Sequence, residues 1–244
     1  MKKLTKILMS ALCIAAIGSS MAALGGCASK KESITVSGSS SVTPIMEKLA
    51  AEYEKTHDVR IMVNMSTSGA GISDTQNGLN DFGMSSRELK SSETGVKGYT
   101  LCMDGIALIV NKDCSVTDVS KTDVKALYES GTEIPDTSIT AAIGRDASSG
   151  TRKAFDELLE IENGYATNVA TLAETGNVIE AIQGSTNSIG YISYGSLQST
   201  VKAVSLDGVA CTTENIMNNT YALQRPFVIV LKENGTLSAA AQGF

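Results

Sequence analysis

Three β-rich runs in this 244-residue chain break off into short stretches of serine, threonine and glycine, then pass at once into a helical pattern. The stretches are SGSSSVTP (37–44), STSGAG (66–71) and RDASSGTR (145–152). A strand, a polar tip and a helix repeated in this way constrain the fold more than any other feature. They predict an α/β architecture with mainly parallel sheets, in which ligands sit beyond the carboxyl ends of strands, where helix N-termini point.

The rest of the chain keeps the alternation. SITVSG (33–38) is β-rich, and Thr43 before Pro44 reads as a helix N-cap. Ile45, Leu49 and Tyr53 lie four apart on an amphipathic helix. VRIMVNMS is a strand whose Met62 and Met65 read as core, and a helix follows the glycines from about Ile72. YTLCMDGIALIVN (99–111) is a long β segment containing Gly105. Ser120 and Asp123 resemble a capping box for a helix stopped by Gly131. SITAAIG, SIGYISYG and FVIVLK (227–232) read as strands; TRKAFDELLEIENG, ending at Gly164, and GNVIEAIQG read as helices. TLSAAAQGF has the start of a helix, and a continuation of that helix beyond Phe244 is expected.

The polar tips suggest chemistry as well as topology. Glycine lets backbone N–H groups converge, a helix start leaves N–H donors and partial positive charge, and short hydroxyls add donors. One such loop alone is ordinarily a helix cap. Three at successive strand ends leave two readings open: three caps, or a cage for a small oxyanion. Arg145 and Arg152 flank the third loop.

Other classes fare worse. The formal net charge is −6 and tryptophan is absent, which argues against nucleic acid as a partner. Neither G-x-S-x-G nor a phosphate-binding G-x-x-x-x-G-K-[ST] occurs, so no enzyme is expected. The single histidine, His57, falls in a helix-to-strand turn and reads as solvated. Asp81-Phe82-Gly83 lacks the partners of a kinase motif, and Glu157 and Glu160 read as a solvated helix face. No Cys/His cluster calls for a metal, and no cofactor is expected.

The N-terminus reads as a targeting segment: Lys2, Lys3 and Lys6, then an apolar run, then LGGC ending at Cys27. Ser10, Gly18, Ser19 and Ser20 interrupt the run and favour a secretory signal over a membrane span. LGGC resembles a bacterial lipobox, which implies lipid on Cys27, a linker over 28–33 and a tethered position outside the cytoplasmic membrane. Removing residues 1–27 takes away three lysines and no acid, so the formal charge falls from −6 to −9. Cys102, Cys114 and Cys211 then remain; one disulfide among them is possible, and the spacing does not demand it.

At its loops the chain resembles the phosphate-binding lipoproteins of bacterial phosphate ABC transporters, especially those of Gram-positive organisms. GSSSVTP, STSGAGI, DFGMSSRELK, DGIALIVN, GRDASSGTRKAF, SIGYISYG and LQRPFVIVLK carry the resemblance in order along nearly the whole mature chain. It implies a type II periplasmic-binding-protein fold: two α/β domains, 34–107 plus 220–244 and 108–219, joined by two crossover segments, one of them around Gly105. It implies capture of inorganic phosphate in the interdomain cleft and delivery to a membrane permease. Ser40, Ser41, Val42 and Thr43 are the implied phosphate contacts of the first loop, Val42 through its N–H alone. Ser68 serves from the second, and Arg145, Ser149, Gly150 and Thr151 from the third. Ser86 stands where some relatives place an aspartate that accepts a proton from hydrogen phosphate, with Asp146 as a second candidate acceptor. Binding of sulfate or molybdate, or hydrolysis of an extracellular phosphate ester, are the alternatives.

Overall fold

A computed structural model describes residues 31–244 of the chain. The signal segment, the lipobox and Cys27 lie outside the described residues.

The alternation appears as ten strands and seven helices among the described residues. The first half runs β1 (Glu32–Ser39), α1 (Thr43–Glu54), β2 (Val59–Ser66), α2 (Ser68–Asn77), β3 (Phe82–Ser85) and the 16-residue β4 (Val96–Asn111). The middle runs β5 (Asp118–Val119), α3 (Lys121–Ser130), β6 (Ala141–Arg145), α4 (Gly150–Leu159), β7 (Ala170–Leu172), α5 (Thr175–Gln183) and β8 (Ser188–Ser193). A 3-10 turn (Tyr194–Ser196), β9 (Val201–Leu206), α6 (Thr213–Met217), β10 (Gln224–Lys232) and α7 (Ala239–Gly243) complete it.

The strand order is β2-β1-β3-β10-β4-β8-β6-β7, with β9 pairing β4 and β5. The sheet is mixed rather than mainly parallel. β1 runs parallel to β3, and β6 to both β7 and β8. β10 is antiparallel to β3 and β4, and β4 to β8 and β9. β4 serves two neighbours in turn: residues 96–105 pair with β10, and residues from Ile106 onward pair with β8. Gly105 lies at the change, and a Cβ there would lie 2.6 Å from Cys211 Sγ and 2.7 Å from Ile216 Cδ1.

Residues Ser33–Phe244 form one unit, within which apolar side chains gather separately. The larger core takes Ile106–Val110 with Leu127, Tyr128, Phe155, Val178, Ile189 and Tyr191. A second takes Ile34, Val36, Val42, Met46, Met84 and Phe227. A third, small one joins Ile72, Val96, Val228 and Val230. A continuous apolar run such as 106–110 is what a strand covered on both faces requires.

Several boundaries differ from the sequence expectation. α1 begins at Thr43 with Val42 as N-cap, because the Thr43 hydroxyl bonds the Ser39 carbonyl (3.1 Å) instead of the helix N–H groups. Its buried line is Met46 and Ala50, while Leu49 is exposed. α2 starts at Ser68, four residues before Ile72, because the Thr67 hydroxyl caps Ala70 N–H. α4 stops at Leu159, where Glu160 turns left-handed (φ 59°), and does not reach Gly164. Met62 and Met65 are exposed, not core: Met62 points with Arg60 and Asn64 to the uncovered face of the edge strand β2, while Met65 shares the face of Ile61 and Val63 but lies past its covered part. The capping at α3 is as expected: Ser120 Oγ accepts from Asp123 N–H (3.0 Å) and Gly131 closes the helix at φ 70°. Cys102, Cys114 and Cys211 are free thiols.

Candidate functional site

Each polar tip converts the end of a strand into the start of a helix, and the tips converge. Ser41 Oγ lies 2.9 Å from Thr151 Oγ1, and Thr151 Oγ1 lies 3.4 Å from Ser86 Oγ. Ser86 Oγ is 3.2 Å from Ser68 Oγ, which also accepts the Ser86 N–H (3.1 Å). Ser40, Ser41, Ser68, Ser86 and Thr151 are all buried. Five hydroxyls from the ends of β1 and β3 and the starts of α2 and α4 therefore occupy one place in the interior.

The approach of the loops depends on glycine. A Cβ on Gly150 would sit 2.1 Å from Ser68 Oγ and 2.7 Å from Ser68 Cβ, so the third loop reaches the second only without a side chain there. Ser148 O accepts the Gly69 N–H at 3.4 Å and ties the same two loops together.

Arg145 supplies the charge. It is the last residue of β6, 1 % exposed, and its guanidinium is held on four sides. Nε donates to Leu172 O (3.3 Å), Nη2 to Ala173 O (2.6 Å) and Ser40 Oγ (3.2 Å), and Nη1 to Thr175 Oγ1 (3.1 Å). Burial pulls its pKa down, and the neighbouring Tyr191 and Asp146 oppose that pull. A guanidinium nonetheless stays charged in proteins.

The remaining expected residues are placed differently. The Val42 N–H donates to Ser39 O (3.0 Å), and Thr43 spends its hydroxyl on the same carbonyl. Ser149 is the N-cap of α4: its Oγ accepts the Arg152 N–H, and its own N–H goes to Asp146. Asp146 Oδ1 also accepts from the Ser148 N–H and hydroxyl, so its carboxylate is committed to the turn. Gly150 and Thr151 open α4, whose first-turn N–H groups have no partner within the helix.

Sequence reasoning missed two features. Thr175, the first residue of α5, lies 3.2 Å from Ser40 Oγ and 3.4 Å from Ser41 Oγ. Its signal was present, since β7 runs through a short tip into a helix, but that strand has only three residues. The second is a buried ion pair behind Ser86. Arg225 donates through Nε and Nη2 to Asp104 Oδ2 (3.3 and 3.2 Å) and through Nη1 to Ser86 O (3.1 Å). Ser193 donates to Asp104 Oδ1 (2.8 Å). Burial pushes the Asp104 carboxyl up, against the pull of Arg225 and Ser193. Strand pairing of β4 with β10 creates this pair, and no local pattern announces it.

Such a cluster can hydrogen-bond a ligand from several sides. Hydroxyls donate and accept, one cation stands among them, and the nearby Asp104 and Arg225 neutralise each other. Arg87 is likewise engaged by Glu93, at 2.6 Å. His57 is exposed and stacked on Tyr53 (ring centroids 3.7 Å apart), not among the hydroxyls.

A curled mixed sheet flanked by helices, with loops gathered at strand ends around one arginine, is the type II periplasmic-binding-protein architecture. The profile of the PBP superfamily domain matches residues 26–244, and the chain belongs to that superfamily. It is similar to the phosphate-binding protein PstS of Staphylococcus epidermidis, 28 % identical over 255 residues, covering 94 % of this chain and 78 % of that one. The match to phosphate-binding protein PstS 2 of Streptococcus agalactiae is 42 % identical over 98 residues, and spans 39 % of this chain and 33 % of that protein's length. Among solved structures, it superposes with a TM-score of 0.82 and 36 % identity on a Clostridium perfringens protein assigned as a phosphate ABC transporter substrate-binding protein, with bound phosphate. That superposition covers 87 % of this chain and 90 % of the other.

Proposed function

We propose that the chain is an extracytoplasmic solute-binding protein that captures inorganic phosphate and delivers it to an ABC permease in the membrane. One observation carries this reading: hydroxyls from four separate strand or helix ends meet beside the buried guanidinium of Arg145. The phosphate bound in the Clostridium perfringens relative supports the choice of ligand.

The magnitudes are adequate. Micromolar binding corresponds to about −8 kcal/mol, and association costs at least about 4 kcal/mol more. Hydrogen bonds to a charged group contribute about 1.5–3 kcal/mol each. On the order of four to eight donors then suffice, within reach of these hydroxyls, Arg145 and the Gly150 and Thr151 N–H groups that open α4. Neutral dipoles also explain how a net-negative protein holds an anion.

In this reading Ser40, Ser41, Ser68, Ser86 and Thr151 give hydroxyls and Arg145 gives charge. Gly150 and Thr151 give helix-start N–H groups, and Ser149 holds that helix start in place. Val42 and Thr43 fix the shape of the first loop. The domains are residues 34–107 plus 220–244 and residues 108–219, with β4 and β10 as the crossovers, and they close on the ligand as a hinge. Lipid on Cys27 holds the protein at the membrane surface. The chain binds its ligand without turning it over.

Titration calorimetry with phosphate, sulfate and molybdate tests the reading. Phosphate is expected to bind at micromolar concentration or tighter. Heat with none of the three would end the proposal, and tighter binding of sulfate would change the ligand. Small-angle scattering with and without phosphate reads closure.

A further inference from the structure

The geometry points to Thr175 as an anion-binding residue of this site, a fifth strand or helix end contributing to the cage. The inference rests on the oxyanion reading above and adds a contact to it.

The argument begins with where threonine hydroxyls go. Thr43 and Thr75 are as buried as Thr175, and both bond carbonyls four residues back, Ser39 O (3.1 Å) and Gly71 O (2.9 Å). That is the ordinary local use of a helical threonine. Thr175 does otherwise. The N-cap of its helix is Glu174, which makes no side-chain cap bond, and the Thr175 hydroxyl bonds Arg145, Ser40 and Ser41.

The direction of the proton follows. Arg145 Nη1 can only donate, so Thr175 Oγ1 accepts from it at 3.1 Å. The one hydroxyl proton of Thr175 remains available to donate toward Ser40 and Ser41, which lie at 3.2 and 3.4 Å in the region where the other loops gather their donors. A tetrahedral oxyanion with one oxygen on Arg145 meets Thr175 as the adjacent donor. Thr175 and Ser40 also line a cleft of about 330 Å³ shared with Pro44, Glu174, Ile179 and Leu197. The pair is thus shared between that cleft and the buried hydroxyls.

The experiment is phosphate titration of the wild-type chain, Thr175→Val and Thr175→Ser, with melting curves of each with and without phosphate. Valine keeps the shape and removes the hydroxyl; serine keeps the hydroxyl. Thr175→Val is expected to weaken phosphate about ten- to a hundredfold, and Thr175→Ser by about threefold or less. The phosphate-induced rise in Tm should shrink for valine alone, wherever the ligand-free Tm lies. If Thr175→Val does not fold, Thr175→Ala carries the same expectation. Binding by the valine variant within about twofold of wild type overturns the inference, as does a serine variant as weak as the valine one. A wild-type chain that binds no phosphate overturns the oxyanion reading itself, and this contact with it.

Discussion

Ser41 Oγ and Thr151 Oγ1 stand 2.9 Å apart although 110 residues separate them in sequence. One belongs to the tip after β1 and the other to the first turn of α4, so the contact joins the first half of the chain to its middle. If both hydroxyls face one ligand, their contributions are coupled. Ser41→Ala and Thr151→Val should each reduce phosphate affinity about ten- to a hundredfold. The double variant should lose less than the product of the two. Calorimetry of the four proteins in a double-mutant cycle reads the coupling, and strict additivity would place the two hydroxyls on separate tasks.

Gly150→Ala tests the approach of the loops. The new methyl would sit 2.1 Å from Ser68 Oγ, so either α4 or α2 must shift. The expected cost is about 1–3 kcal/mol of stability, together with loss of phosphate binding. Ser68→Gly in the same chain removes the two nearest clashing atoms, leaving only Ser86 Oγ at 2.9 Å, and should recover most of the stability without recovering affinity. Urea unfolding and titration of the single and double variants separate the two effects.

Arg145→Lys keeps the charge and loses the fork. A lysine ammonium cannot at once reach Leu172 O, Ala173 O, Ser40 Oγ and Thr175 Oγ1, which the guanidinium holds in one plane. Phosphate affinity is expected to fall on the order of a hundredfold. Retention of wild-type affinity in calorimetry would mean that a point charge is enough there.

Glu93 gives the fold a pH dependence away from the site. Burial works to raise its pKa, but the hydrogen bond and charge of Arg87, with the Lys90 N–H, outweigh burial and hold it below the ordinary glutamate value of 4.5. The folded state therefore binds the proton less readily than the unfolded chain. The stabilisation is present above the unfolded pKa and lost as pH falls through the depressed folded one. Glu93→Gln should cost about 1–3 kcal/mol at pH 7, and the gap to wild type should narrow as pH falls below 4.5. Urea midpoints at pH 7 and pH 3.5 measure it; a gap that stays constant would show that the charge is not responsible.

Much of the fold was legible because its signals are local. Ser120 with Asp123 and Gly131 bounded α3 to the residue, since a cap is chemistry between neighbours. The starts of α1 and α2 were misplaced because two side chains compete locally: Thr43 bonds backward to Ser39, and Thr67 rather than a later residue caps α2. Met62 and Met65 were misread because hydrophobicity marks a strand but not how far either of its faces is covered.

The site divides in the same way. Sequence alone determined that three polar tips precede helices and that Arg145 opens the third of them, because strand, glycine and cap signals are short-range properties of the chain. Tertiary structure decided which of those groups meet: Ser41 with Thr151, Ser68 with Ser86, Arg145 with Thr175, and Asp104 with Arg225. Such meetings depend on the order and register of strands far apart in the chain, which are set by burial of whole faces and not by any neighbouring residue.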